Sequence, residues 1–313
     1  MRTTSSHPSH DSVADVARRQ LGLISRHQAA TLGHRPATIR RRVQSGRWQL
    51  IAPGVYLING APISWRTTVL TACLSAGGVV SHRTAAALLD IEGFRSRRIE
   101  ISVPRGAGRS RTEVPGVTTH LSTDLHLAAI VTIDALPVTD PARLAVDLGG
   151  VVPFDRYQVA VEDLVGRKLL DWEKALDTLV VHARRGRNGV GSLRSLLEER
   201  YGADIPQSAL ERVFVRLASA RGLPQPELQY VISDADGFVA RVDAAYPEQR
   251  LAIELDSLRW HGPARVFELD HRKRARLVAA GWHVLAFTWH MMLNDPDAVV
   301  RSVRALLRPA RSA

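Results

Sequence analysis

Apolar positions follow three successive spacing patterns along this chain. From residue 12 to about residue 60 they recur at helical intervals. Val13, Ala17 and Leu21 lie four apart behind Ser12, a residue type that caps helices, and predict a first helix running to Leu21. Ser25 opens a second short helix that stops at Gly33. Pro36 sits in the first turn of a third helix that ends at Gly46, with Ile39 and Val43 facing inward. Trp48 to Leu57, broken at Pro53-Gly54, predicts a hairpin. Helix, turn, helix and hairpin in this order make a winged helix-turn-helix over residues 12–60, behind a tail of residues 1–11.

The middle, residues 61–205, alternates between helical and extended patterns. Ser64 to Ala76 and Ser81 to Ile91 predict helices, and Ile99 to Pro104 and Val117 to Leu121 predict strands. His82 and Arg83 fall in the first turn of a helix, where side chains are usually exposed. Asp140-Pro141 is a cap followed by proline at the first helical position. Residues 155–200 carry two or three helices around Gly186-Arg-Asn-Gly-Val-Gly191. That glycine cluster lacks the Gly-Lys-Ser/Thr ending of a phosphate loop and is read as a connector.

From residue 206 to 313 the pattern becomes helix, hairpin, strand, helix, strand, helix, which predicts an α/β domain with a mixed sheet. Leu210, Val213, Phe214 and Leu217 share a helix face, and Asp236-Gly237 marks the hairpin turn. In Leu251-Ala-Ile-Glu-Leu-Asp256, side chains alternate between the two faces of a strand. Leu251, Ile253 and Leu255 therefore share one face, and Glu254 and Asp256 the other. Half-buried carboxylates need a partner. If the preceding strand pairs with this one, Asp243 stands beside them. Such a group suits Mg²⁺, which takes one or two carboxylates and fills its octahedron with water and phosphate oxygens. His261, five residues beyond Asp256, is in place to carry a proton or orient a water. Ser208-x-x-Glu211 also reads as a capping box, which gives Glu211 a purely structural alternative.

Charge sharpens the N-terminal reading. The 313-residue chain carries a net charge of +11. Residues 1–120 hold 17 Lys and Arg against 6 Asp and Glu, whereas residues 121–313 hold 25 of each. The whole surplus thus lies where a polyanion would be met. Arg40, Arg41 and Arg42 fan across the third predicted helix, so at least one faces solvent or a partner, and Arg47 follows its stop. No apolar run is long enough to span a bilayer, so no membrane partner is expected. The single Cys73 forms no internal disulfide, which fits a reducing cytoplasm.

Two resemblances follow from these residues. Glu211, Arg241-Val-Asp243, Ala252-Ile-Glu254-Leu-Asp256, Trp260-His261, Asp270-His-Arg272, Gly281-Trp-His-Val-Leu285 and Phe287-Thr288 resemble the very-short-patch-repair-like endonucleases. These are a branch of the restriction-endonuclease-like superfamily whose core motif is Asp, then Glu-x-Lys. The resemblance covers about residues 208–307. It implies that Asp243 and Glu254 bind Mg²⁺, that Glu211 borders the site and that His261 assists the water. Asp256 occupies the lysine slot, leaving Lys273, Arg272 or Arg274 to supply the cation. Ser257 stands where a glycine is common.

Leu23-Ile-Ser-Arg-His-Gln-Ala29, the basic helix to Ser45-Gly-Arg-Trp48, Pro53-Gly-Val-Tyr56 and Ser81-His-Arg-Thr-Ala-Ala86 resemble the AbiEi family, and Leu136-Pro-Val-Thr-Asp-Pro-Ala-Arg143 is similar to later parts of the same proteins. That family comprises winged-helix antitoxins of type IV toxin–antitoxin systems. It implies operator DNA and a cognate toxin protein as partners. The expected protein is a multidomain α/β regulator that holds DNA through Arg40, Arg41, Arg42 and Arg47. The alternative is a Mg²⁺-dependent DNA endonuclease in which Glu211, Asp243, Glu254, Asp256 and His261 act together.

Overall fold

The computed structural model describes residues 12–58, 60–95, 98–106, 114–184, 186–201, 206–234, 237–256 and 264–307, with side chains in the last segment from residue 271. Two compact units meet in sequence between Leu144 and Ala145. The expected limits near residues 60 and 205 lie inside these units.

The first unit opens with α1 (Val13–Arg19), β1 (Leu23–Ser25), α2 (Arg26–Thr31), α3 (Pro36–Gln44), β2 (Trp48–Ala52) and β3 (Val55–Ile58). The strands form an antiparallel sheet in the order β1-β3-β2. Together with the three helices this is a winged helix-turn-helix. Its ends are written in the sequence. Ser12 and Asp15 cap α1 reciprocally, as do Ser25 and Gln28 for α2. Each such cap contributes about 1 kcal/mol. Pro36 is the first residue of α3 as expected, and Gly46 turns the chain at φ +70°. The first helix stops at Arg19 rather than Leu21, because Leu21 takes φ 55° and Gly22 φ 83° to enter β1. Val13, Ile24, Ala29, Ile39, Trp48 and Tyr56 form the core.

The unit continues with α4 (Trp65–Ala76), β4 (Val79–Val80), α5 (His82–Leu88), β5 (Ile99–Pro104), β6 (Val117–Ser122), β7 (Ile130–Ile133), β8 (Leu136–Thr139) and α6 (Pro141–Gly149), which runs past the boundary. Their five strands make a mixed sheet in the order β6-β5-β4-β8-β7. Cys73 on α4 is 2% exposed, and burial pushes its thiol up to about 12.

Strands β7 and β8 escape the sequence reading for a specific reason. They form a hairpin closed by Asp134 and Ala135, both with positive φ (48° and 69°). That is the geometry glycine usually signals, here without glycine. Replacing Ala135 with glycine should therefore stabilise the unit by about 1 kcal/mol. A denaturant midpoint below the wild-type value would contradict this account of the turn.

His82 departs from expectation, whereas Arg83 is exposed as expected. His82 is buried, with φ 52°, and its ring stacks on His120 at 3.6 Å. Its Nδ1 lies 2.8 Å from Ser81 Oγ. The Arg83 backbone N–H donates to Glu100 Oε2 at 2.7 Å and its guanidinium to Oε1 at 2.8 Å. Strand β5 thus carries a buried carboxylate that α5 neutralises.

The second unit begins within α6 and contains α7 (Phe154–Gly166), α8 (Trp172–His182), α9 (Val190–Tyr201), α10 (Gln207–Ala220), β9 (Glu227–Asp234), β10 (Gly237–Tyr246), β11 (Leu251–Asp256), α11 (Ala264–Ala279), β12 (His283–Thr288), α12 (Trp289–Asn294) and α13 (Pro296–Leu307). Its sheet has the order β12-β11-β10-β9, with β11 and β12 parallel and the other pairs antiparallel. This is the mixed sheet the sequence predicts. The predicted apolar face of α10 is buried throughout. Phe214 on that face lies 6.2 Å, ring to ring, from Phe287 of β12. Leu277 of α11 joins Ala252 and Val242 in a separate cluster.

Glycines bring the start of α9 against the end of α6. Ser192 Oγ donates to Gly149 O at 2.8 Å, and Arg187 pairs with the buried Asp147 at 2.8 Å. A Cβ on Gly189 would stand 1.8 Å from Val146 O. The glycine cluster is therefore more than a connector: it permits a backbone contact.

Candidate functional sites

In the winged helix, α3 divides its side chains by face. Ile39 is buried and Val43 packs against the core, fixing the inner side. Ala37, Arg40, Arg41 and Gln44 are all exposed. Their spacing of three, one and three residues puts them on one stripe of the helix. Arg47 is exposed just beyond the helix end.

Arg42 behaves differently from its neighbours. It is half-buried, with Cζ 5.3 Å from the centroid of the Trp48 ring. Trp48 is 2% exposed and begins the first strand of the wing. His34, in the turn before α3, stacks on the same ring at 5.8 Å. Burial, and then the Arg42 charge, hold His34 below the ordinary imidazole range. The three adjacent arginines thus split into two that face outward and one that rests on the core.

In the second unit, β11 carries Glu254 and Asp256 as the alternation predicts, with Glu254 half-buried and Asp256 exposed. Strand β10 pairs with β11 from Ala244↔Ile253 to Tyr246↔Leu251. At the end of that ladder the Leu255 N–H donates to Asp243 Oδ2 at 2.7 Å. Asp243 therefore holds the end of β11 as well as contributing charge. Lys273 of α11 straddles Glu254, donating to Oε2 at 3.0 Å and standing 2.8 Å from Oε1. Of the three cations considered in the sequence, Lys273 is the one seen to contact Glu254, from the next helix.

Burial raises the Glu254 carboxyl above its usual range. Lys273 opposes that shift, while Asp243 and Asp256 add to it. Glu254 therefore feels both neighbouring carboxylates. Glu254 Oε1 is buried and already faces the Lys273 ammonium at 2.8 Å, so a divalent ion taking this hard oxygen would share it with that charge. Among the described residues no three His, Cys, Asp or Glu side chains converge as ligands, so an ion here would rest on Asp243 and Glu254 with water completing its shell.

Glu211 is one step removed. The capping box expected with Ser208 does not form, because Pro206 occupies the cap position of α10 and Ser208 lies inside its first turn. Glu211 instead accepts a hydrogen bond from Gln229 Nε2. Gln229 sits on β9 with φ 50°, between Leu228, paired with Ala244, and Tyr230, paired with Val242. It therefore stands opposite Asp243. A strained non-glycine residue in mid-strand was not legible in the sequence. His261 lies outside the described residues, as do Ser257 and Trp260; Arg272 and Arg274 are exposed.

Comparison with known proteins gives three findings. Residues 11–59 match the family described as transcriptional regulator, AbiEi antitoxin. Over 273 residues the chain is 28% identical to the uncharacterized proteins Rv2248 and MT2308 of two Mycobacterium tuberculosis strains, covering 87% of this chain and 97% of each relative. The crystal structure of the RV2827C protein from Mycobacterium tuberculosis aligns with 71% of this chain and 87% of its own, at 16% identity and a TM-score of 0.31. No helix among the described residues is long and apolar enough to cross a membrane.

Proposed function

We propose that this chain is an antitoxin-like transcriptional regulator that binds operator DNA through its winged helix. The observation that carries the reading is the outward pair Arg40 and Arg41 on α3, with Arg47 beside it, inside the segment that matches the AbiEi antitoxin family. A cationic third helix of this kind fits the major groove, with the wing beside it. The basic surplus of residues 1–120 supplies counterion release along the phosphate backbone. A cognate toxin protein is the second partner in this reading, and the cytoplasm its place of action.

The test is binding to duplex DNA from the upstream region of its own gene across a salt series. Arg40→Ala and Arg41→Ala should each weaken binding roughly 10-fold, consistent with about 1–3 kcal/mol per base contact. Arg47→Ala should lower the salt slope by about one unit, as expected for one lost phosphate contact. Binding that ignores all three substitutions would place recognition elsewhere.

A second reading is supported by the β10–β11 carboxylates. In it the C-terminal domain is an endonuclease of the restriction-endonuclease-like class, and the winged helix delivers it to DNA. Asp243 and Glu254 would hold Mg²⁺, which supplies Lewis acidity at the scissile phosphate. Lys273, paired with Glu254, would neutralise charge building on that phosphate, Glu211, bonded to Gln229, would border the site, and His261 would carry the proton. Plasmid nicking in Mg²⁺ or Mn²⁺ that disappears in Glu254→Ala is the expected result. Nicking that survives the substitution, or is absent from the wild type, removes the enzyme.

A further inference from the structure

We infer that Arg40, Arg41 and Gln44 read bases in the major groove, while Arg42 is a positioning residue that never touches DNA. The inference rests on the DNA-binding reading above and narrows it to particular side chains.

Helical geometry carries the first half. Ala37, Arg40, Arg41 and Gln44 are the exposed stripe of α3, and the residues behind them are committed to the core. From Ala37 to Gln44 the helix rises about 10 Å, close to three base-pair steps. Within that length an arginine side chain matches guanine O6 and N7, and a glutamine amide matches adenine N6 and N7. Ala37 adds no bulk, so the helix backbone can approach the bases, and its methyl suits contact with a thymine methyl. The ligand is therefore duplex DNA with guanine and adenine inside one run of three or four base pairs. Gln44 carries no charge and does not stand out in sequence beside three arginines; only its shared face with Arg40 and Arg41 marks it.

The contact with Trp48 carries the second half. Arg42 holds its guanidinium 5.3 Å from a ring that is itself 2% exposed. That ring belongs to the first residue of the wing strand, so the cation–π contact ties the reading helix to the wing. His34 rests on the same ring from the turn before α3. Arg42 thereby sets the angle at which Arg40, Arg41 and Gln44 are presented.

The test is selection of full-length protein on a randomised duplex pool, followed by salt titration on the preferred and on an unrelated sequence. Thermal melting checks that each variant folds. Gln44→Ala should flatten the preference at one base pair and cost about 10-fold on the preferred duplex. Its binding to the unrelated duplex and its salt slope should stay as in wild type. Arg42→Met should weaken binding without altering either the preferred bases or the slope, and Arg42→Lys should restore much of the loss.

An unchanged preference in Gln44→Ala, in a protein that still selects a sequence, overturns the base-reading assignment and leaves DNA binding standing. A salt slope lowered by about one unit in Arg42→Met overturns the positioning role, because that is the mark of a phosphate contact. Wild-type protein that binds neither duplex overturns the regulator reading itself.

Discussion

Replacing Gly189 with alanine should destabilise the second unit by roughly 3–5 kcal/mol. The added Cβ would stand 1.8 Å from Val146 O and 3.0 Å from Gly150 N, both backbone atoms that cannot rotate away. Gly189 also takes φ +86°, a conformation that strains any L side chain. Relief requires α6 and the start of α9 to separate. That would stretch the Ser192–Gly149 hydrogen bond and the Arg187–Asp147 pair. The substitution should lower the denaturant midpoint of residues 145–313 in hydrogen exchange, with the winged helix protected as before. Gly191→Ala is the control: nothing lies within 4 Å of a Cβ there. Equal effects at the two positions would show that the backbone approach is not what glycine serves.

Glu100→Gln should cost about 3 kcal/mol near neutral pH and progressively less in acid. Burial alone would raise this carboxyl, but His120, the Arg83 backbone N–H, and the Arg83 and His82 charges together outweigh it. The result is a group held at about 2, against an ordinary 4.5. A carboxyl depressed on folding contributes stability above its unfolded value, and the contribution is lost as pH falls toward the folded value. The gap between wild type and Glu100→Gln should thus close as pH falls from about 5 toward 2. Denaturant midpoints across that range provide the measurement. A gap that stays open at pH 2 would mean that glutamine fails for reasons of shape rather than charge.

These expectations separate what local sequence rules reach from what they do not. Ser12, Ser25 and Ser64 cap their helices as single-residue preferences suggest, and all three close reciprocal capping boxes. Alternation along Leu251–Asp256 placed Glu254 and Asp256 because strand periodicity is a local property. Ser208 shows the limit: it has the right spacing to Glu211, yet Pro206 takes the cap position. The division of labour among Arg40, Arg41 and Arg42 depends on Trp48, which lies across a turn from the helix. Lys273 reaches Glu254 from the next helix, and Gln229 reaches Glu211 across 18 residues of chain. The Asp134-Ala135 hairpin is invisible to turn rules because it uses a glycine conformation without glycine. Such contacts belong to tertiary packing, and residue patterns do not encode them one by one.

The state of Cys73 has a practical consequence for α3. A thiol reacts through its thiolate, and a buried group pushed up to about 12 supplies almost none near neutral pH. Native protein should therefore resist maleimides and disulfide exchange without removal of its only cysteine. A thiol introduced by Ala37→Cys, at the N-terminal end of the exposed stripe, would be the one site to react. A fluorophore or disulfide-forming base analogue attached there would report on the approach of duplex DNA with the natural core left intact.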